Sequence, residues 1–392
     1  MLQSHFSTDL IDIQDAVVSN VESNEDKVDI HFTLTRKTQI CPKCNNLTDK
    51  IHDYRLQIIK DLPIQGKDTY LHYKKRRYIC DCCNKKFYEK LHIVPKFHRI
   101  TNRVALFSLK RLKSRISIKD VANELNVSSS SIIRWLNFTN ISKPSKLPTV
   151  LSIDEFKGNS GGEKFQCVLT DAKNRKVIDI LPSRKQDDLF GYFTSFNNRD
   201  SVKYVVMDMS KSFKEVALKC FPKAKIVIDR FHVSRQAMWA FENTRKKVQK
   251  SLHPNLRKYF KRSRKLLTMR MDKLGSDDKL AVERMLSYST ELTNAYILKE
   301  YFYNFMDSQD KEQAIEKLKW FRLQATYIDI AEYKPVMTML RNWEDYILNS
   351  FEYKYSNGYT EGTNNSIKVI KRVGFGYRNF DNFRKRILLV HC

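Results

Sequence analysis

Apolar and polar positions alternate at Val28, Ile30, Phe32 and Leu34, which predicts a half-buried strand near the amino end. Further along, Ile118, Val121, Ala122 and Leu125 recur at helical spacing. Asn126 and Val127 then make a tight turn, and Ser128 is placed to cap a second helix carrying Ile132, Ile133 and Trp135. Pro144 and Pro148 mark a linker, and the pattern changes beyond them. Short apolar runs predict strands at 150–156, 165–171, 176–181, 204–208 and 226–229, with helices near 187–196 and 213–219. Three strands followed by alternating helices and strands are the order of an α/β domain. The interval up to residue 351 is charged and helical in character, with Trp320, Phe321, Leu323, Tyr327, Trp343, Tyr346, Ile347 and Phe351 as packing residues of an inserted helical domain. A turn at Ser356, Asn357 and Gly358 opens a last helix through Ile367, Val369 and Ile370.

Charge narrows the range of partners. A formal net charge of +27 over 392 residues implies a polyanion, nucleic acid first and an acidic membrane surface second. The membrane reading is the weaker, since no apolar run approaches the roughly 20 residues that span a bilayer. The start MLQSHFSTDLIDIQ lacks the basic-then-apolar order of a signal peptide, so a soluble, intracellular protein is expected. Basic residues crowd between Arg245 and Lys273, with Asp272 the sole acid among them. That run is either a DNA-backbone surface or a solvated helix face.

Cysteine spacing points to a metal. Cys41-Pro-Lys-Cys44 and Cys80-Asp-Cys-Cys83, separated by strand-like sequence, have the layout of a zinc ribbon in which four thiolates close a structural Zn²⁺ site. Disulfides would need an oxidising compartment, which the absence of a secretion signal disfavours. Cys82 competes with Cys83 as a ligand, and spacing favours Cys83. Between the knuckles Tyr70, His72, Lys74, Arg76 and Tyr78 alternate along one strand face, which suits either a nucleic-acid surface or an ordinary half-exposed strand. The paired helices after the ribbon form a helix-turn-helix pattern, with Ser129, Ser130, Ser131 and Arg134 as groove-facing candidates.

Three acidic residues sit where phosphoryl-transfer chemistry would place metal ligands. Asp154 and Asp208 end buried-looking strands, and hard divalent cations prefer carboxylate oxygens. Side chains alternate along a strand, so Asp154 and Glu155 point opposite ways and cannot both enter one site. Glu361 opens the last helix, where its charge is favoured, and Asn365, Lys368 and Arg372 follow it at helical spacing. Such a face would hold metal at its start and DNA phosphates at Lys368 and Arg372. Asp229 and His232 remain auxiliary. Asp229 ends another strand, and His232 would orient a phosphate, relay a proton or hold Asp229, with a structural hydrogen bond as the safer reading.

The segments SIDEFKG from Ser152, VVMDMSKSF from Val205, IVIDRFHV from Ile226 and TEGTNNSIKVIKR from Thr360, with GFGYRNF from Gly374, resemble the ISL-three family of bacterial insertion-sequence transposases, DDE type. With the zinc segment and the helix-turn-helix, the resemblance covers nearly the whole chain. It implies an RNase H-like α/β catalytic domain at 149–232 and 352–392, with a helical insertion domain at 233–351. A ribbon region at 1–98 and a helix-turn-helix domain at 99–142 would precede it. It selects Asp154 over Glu155 and makes Asp154, Asp208 and Glu361 the holders of two Mg²⁺ (or Mn²⁺) ions. The implied reaction is cleavage at the terminal inverted repeats of the element, followed by attack of the freed 3′ hydroxyl on target DNA. The implied partner is double-stranded DNA, bound by a homo-oligomer on paired ends in the bacterial cytoplasm, at the nucleoid. An RNase H-like nuclease that does not join strands, and an inactive or domesticated DNA-binding regulator, are the alternatives.

Overall fold

The computed structural model describes residues 11–262 and 264–391. They fall into two compact units, residues 11–141 with Val369–Gly376 and residues 381–391, and Ser142–Lys368 with Tyr377–Phe380.

In the first unit the strands are β1 (Ala16–Ser23), β2 (Lys27–Leu34), β3 (Gln39–Ile40), β4 (Leu47–Thr48), β5 (Ile51–Ile64), β6 (Lys67–Ile79) and β7 (Lys86–Tyr88). The main sheet runs β1-β2-β6-β5, with β7 also on β6. The period-two residues of β2 bury Val28, Ile30 and Phe32 against Ile59, Leu71 and Tyr73. Gln65 and Gly66, both at positive φ (53° and 78°), turn β5 into β6 as a tight hairpin requires. At the far end of that hairpin Ile79 N–H donates to Lys50 O (3.0 Å) and Thr48 Oγ1 donates to Ile79 O (2.8 Å), which ties β6 to the short β3-β4 pair. The expected aromatic and basic face of β6 is not continuous. Arg76 and Tyr78 are buried because Glu89 pairs with Arg76 (3.2 Å), Phe87 stacks on Tyr78 and Lys37 O accepts from the Tyr78 hydroxyl.

Helices α1 (Asn102–Leu112), α2 (Ile118–Glu124) and α3 (Ser129–Phe138) follow. They pack Val104, Leu112, Val121, Ala122, Leu125 and Ile132 into one cluster. Ser117 and Asp120 form a capping box on α2, Asn126 takes the left-handed conformation in the turn (φ 45°), and Ser128 Oγ accepts from Ser131 N–H to cap α3. The sharp turn therefore has a local cause at each end.

The second unit is built on β8 (Val150–Phe156), β9 (Gln166–Asp171), β10 (Lys176–Leu181), β11 (Tyr204–Met207) and β12 (Lys225–Ile228), with α4 (Gln186–Thr194) and α5 (Lys211–Cys220) between strands. The sheet order is β10-β9-β8-β11-β12. β10, β9 and β8 are antiparallel neighbours, whereas β11 runs parallel to both β8 and β12. Register pairs Ile153 with Met207, so Asp154 and Asp208 are the next residues on adjacent parallel strands. Asp154, still within β8 and opposite Val168 of β9, thus neighbours Asp208, which lies just past the end of β11.

Further helices are α6 (Arg230–Ser251), α7 (Pro254–Arg262), α8 (Arg264–Thr268), α9 (Ser276–Leu286), α10 (Thr290–Met306), α11 (Lys311–Ile328), α12 (Lys334–Tyr353) and α13 (Gly358–Val373). The helices after β12 share one core with the sheet. Leu151, Ile153, Val205 and Met207 lie in the same cluster as Phe241, Phe302, Phe321, Ile347 and Phe351. α12 also covers the edge strand β12, where Asn349 Nδ2 donates to Ile226 O (2.8 Å) and occupies backbone that would otherwise recruit another strand.

The basic run is partly neutralised by acids from outside it. Arg245 is buried and pairs with Glu242 (2.7 Å), which also meets Arg264 (2.9 Å). Lys247 meets Glu291 (2.6 Å), and Arg270 pairs with Asp307. Lys246, Lys250, Arg257, Lys258, Lys261 and Lys265 stay exposed.

The last helix, α14 (Phe380–His391), belongs with α1–α3: Leu389 packs against their cluster, and Arg386 donates to Ile116 O (2.7 Å). Among the described residues no helix is long and apolar enough to cross a membrane.

Gly158, just after β8, admits no side chain, because an added Cβ would stand 1.8 Å from Gln166 Oε1. The Gln166 amide is held in place by donating to Ser160 O and Glu163 O, each at 2.9 Å. Gly158→Ala should therefore cost about 1–3 kcal/mol through overpacking, measured by urea unfolding. Unchanged stability would contradict this packing.

Candidate functional site

Helix α13 reaches the sheet through a buried polar seam. Thr360, in its first turn, places its hydroxyl 2.8 Å from Ser152 Oγ on β8 and 2.7 Å from Thr170 Oγ1 on β9. All three residues are fully buried, and each hydroxyl finds its partner within the seam. Ser152 Oγ also donates to Asn357 Oδ1, just before the helix. From this anchoring, Asn364 Nδ2 donates to Asp154 Oδ2 at 2.8 Å, while Asn357 Nδ2 donates to Asp208 Oδ1 at a long 3.4 Å. Glu361 lies four residues after Asn357 and three before Asn364, on the same side of the helix and exposed.

Asp229 and His232 complete the surroundings. Asp229 caps α6 by accepting Phe231 N–H (2.9 Å), and its other oxygen accepts Asn357 N–H (3.1 Å). It therefore joins the start of α6 to the start of α13. His232 turns to Asp208, with Nε2 2.9 Å from Oδ2. That hydrogen bond raises the His232 pKa and favours an imidazolium beside the carboxylate.

Asp154 is nine-tenths buried and its carboxyl is pushed up to about 7, first by burial and then by the charge of Asp208, which outweigh Glu155 N–H and His232. Glu155 instead pairs with Arg184, as the alternation along β8 requires. The charge of Asp208 thus opposes ionisation of its neighbour Asp154, which marks a site short of positive charge. Their oxygens are the donors that a hard divalent ion takes. Glu361 has not joined them: among the described residues the four cysteines are the one group of three or more His, Cys, Asp or Glu side chains gathered at ligand spacing.

Those four are Cys41, Cys44, Cys80 and Cys83, whose ligand atoms all lie within 4.8 Å of one another, while Cys82 is exposed and outside the group. Cys41 Sγ is 3.5 Å from Cys83 Sγ and Cys44 Sγ is 3.5 Å from Cys80 Sγ. A tetrahedron of about 2.3 Å Zn–S bonds would set such separations near 3.8 Å, so the thiols fit the ion. Each knuckle closes on an asparagine in the left-handed conformation, Asn45 (φ 59°) and Asn84 (φ 54°), which that residue tolerates. Although burial opposes it, backbone N–H groups of Cys44 and Lys43 lower the Cys41 thiol to about 6. The Asn46 N–H favours the Cys44 thiolate, but burial and the neighbouring thiols push that group up to about 12. Thiols in such competition are the state a cation resolves.

The sequence-derived DNA candidates are exposed or half-exposed on their helices: Ser129, Ser130, Ser131 and Arg134 on α3, and Lys368 and Arg372 on α13. Ser131 also serves the α3 cap, and Lys368 Nζ donates to Asn365 Oδ1 (3.2 Å). Sequence reasoning missed Ser152, Thr170, Asn357, Thr360 and Asn364. Their signal was present as polar residues at positions where a strand and an amphipathic helix would otherwise bury apolar ones.

Cys80→Ser should release the zinc that the wild-type chain retains, and Cys82→Ser should keep it, as read by a zinc-sensitive dye on the unfolded protein. Equal retention in both would contradict the ligand set. The raised Asp154 pKa means that the folded, metal-free chain holds a proton the unfolded chain has released above its ordinary carboxylate range. Stability should therefore fall, relative to Asp154→Asn, as pH rises from about 4 to about 7. Urea melts of the two proteins across that window check the sign, and parallel curves would contradict it.

Comparison with known proteins finds matches to both regions of the chain. Residues 151–387 match the ISL3 DDE model described as a transposase, and residues 37–83 match the zinc-finger of transposase IS204/IS1001/IS1096/IS1165. Over 383 residues, 94% of each chain, the protein is 25% identical to the transposase for insertion sequence element IS1001 of Bordetella parapertussis. A 111-residue stretch is 32% identical to a Lactococcus lactis subsp. lactis protein named an ATP-dependent protease, covering 28% of this chain and 34% of that one. The present sequence has no G-x-x-x-x-G-K-[S/T] loop to cradle ATP phosphates. With a catalytic-region match over more than half of its length and a zinc-finger match over the four-cysteine cluster, the chain belongs to the ISL3 family of transposases.

Proposed function

We propose that this transposase binds the terminal inverted repeats of its insertion sequence and uses Asp154, Asp208 and Glu361 to cleave DNA strands and transfer them to a target. The observation that carries the reading is the placement of α13, whose Asn364 reaches Asp154 while Asn357, just before the helix, reaches Asp208, with Glu361 between the two in sequence. The sheet, three antiparallel strands followed by two parallel ones, supports an RNase H-like catalytic domain built on 149–232 and α13 with residues 233–351 as its helical insertion, while α14, expected in that domain, packs with the first unit. The zinc ribbon within 1–98 and a helix-turn-helix within 99–142 would supply recognition of double-stranded DNA. There α3 is the reading helix, and Ser129, Ser130, Ser131 and Arg134 lie at or near its amino-terminal end. Exposed Lys368 and Arg372 extend the α13 face toward phosphates. Action on two ends at once calls for a homo-oligomer.

Asp154, Asp208 and Glu361 would hold Mg²⁺ or Mn²⁺, which when bound activates a water or 3′ hydroxyl and stabilises the leaving oxygen. The chain's own groups set up that chemistry. Mutual repulsion of three carboxylates opposes their convergence in the metal-free protein. His232 holds Asp208 through Nε2, and Asp229 fixes the turn from which α13 departs. No serine or tyrosine nucleophile is required, because the attacking oxygen comes from water or from DNA.

With Mg²⁺ and a plasmid carrying the DNA that flanks the gene, the wild-type protein should cut at the repeat ends and join strands. Asp208→Ala and Glu361→Ala should each lose on the order of a thousandfold in rate, the consequence of removing several kcal/mol of transition-state stabilisation. Mapping of cut and joined strands decides the outcome. Cleavage without joining would make the chain a nuclease, and specific binding without metal-dependent cleavage would make it a DNA-binding regulator.

A further inference from the structure

Asn364 is 7% exposed and carries a polar atom that the fold leaves without a partner. Its Nδ2 donates to Asp154 Oδ2 at 2.8 Å and lies 3.4 Å from Glu155 O. Both neighbours accept hydrogen bonds, and the backbone carbonyl can only accept, so the amide orientation is fixed with nitrogen toward β8. The oxygen of the same amide, Oδ1, is buried and has no hydrogen-bond donor among the described residues. A buried amide oxygen left in this state costs about 1–3 kcal/mol, which a helix residue does not ordinarily carry without a compensating partner. Its location beside Asp154, on the helix that also bears Glu361, restricts what that partner is. Amide carbonyl oxygens of asparagine are established ligands for hard cations, alongside carboxylates and water.

We infer that Asn364 is part of the divalent-ion site, its amide N–H positioning Asp154 and its carbonyl oxygen supplying a donor beside the carboxylates. The inference rests on the proposed assignment of Asp154 and Asp208 to that site. The role divides one side chain between two tasks. Nδ2 holds the Asp154 carboxylate in its buried position, and Oδ1 adds a neutral oxygen where a further carboxylate would increase like-charge repulsion. Asn357 has no corresponding free oxygen, since its Oδ1 accepts from Ser152, so the ligand role falls on Asn364 alone of the two.

The test is Mn²⁺ binding to the zinc-loaded full chain, read as free Mn²⁺ by electron paramagnetic resonance, with circular-dichroism melting to confirm that each variant folds. Asn364→Ala should weaken binding about 10–100-fold, the range found when groups supporting a metal site are removed. Asn364→Asp, which keeps an oxygen ligand but loses the N–H to Asp154, should weaken binding less than Asn364→Ala. Wild-type binding by Asn364→Ala, or a loss in Asn364→Asp as large as in Asn364→Ala, would overturn the inference. Asp154→Ala and Asp208→Ala separate the two levels of failure. If they lose Mn²⁺ while Asn364→Ala keeps it, the site stands and Asn364 is not part of it. If they too bind as the wild type, the site assignment itself falls.

Discussion

The hydroxyl of Thr360, shared between Ser152 and Thr170, is the interaction on which the candidate active site depends. All three groups are removed from water, and stranding any one of them would cost about 1–3 kcal/mol. α13 therefore has one register on the sheet. A slip of one residue would move its side chains by about 1.5 Å along the axis and about 100° around it, which would take Asn364 away from Asp154 and leave the seam unpaired. The hydrogen bonds at Asp154 and Asp208 and the place of Glu361 follow from that register. The parallel pairing of β8 with β11 supplies the other half by setting the two aspartates side by side.

The cysteine group and the proposed carboxylate site differ in ligand type. The ribbon offers four sulfur ligands to a borderline-soft ion, and the sheet offers carboxylate oxygens suited to hard ones. Their roles in folding differ as well. The ribbon end of the β5-β6 hairpin buries little apolar surface of its own, so zinc binding contributes to its folding free energy. The second unit has a large shared core that extends from β8 to α12, and it bears the electrostatic cost of a buried carboxyl at Asp154.

Much of the fold was legible because its signals are local. Alternation placed β2, apolar runs placed β8 and β11, and the cap at Ser128 marked the second of the paired helices after the ribbon. Cysteine spacing favoured Cys83 over Cys82 and left both open, and the four-cysteine group contains Cys83. Other features depend on contacts that sequence neighbours do not disclose. Asn364 meets Asp154 across 210 positions, and nothing near either residue specifies that register. The basic run from Arg245 looked nearly free of acids, yet Glu242, Glu291 and Asp307 reach it from outside, and Arg245 is buried. Arg76 and Tyr78 shared a period with the exposed Lys74, but β7 and Glu89 cover them. The local rule held along each element, and tertiary partners decided which face was free.

The most direct test is anomalous X-ray scattering from crystals of the zinc-loaded protein soaked in Mn²⁺. The arrangement of α13 on the sheet predicts manganese density at the carboxylates of Asp154 and Asp208, with Glu361 drawn to it. Manganese bound elsewhere, or an unchanged pair of aspartates at saturating Mn²⁺, would contradict the proposal that these residues form the catalytic metal site.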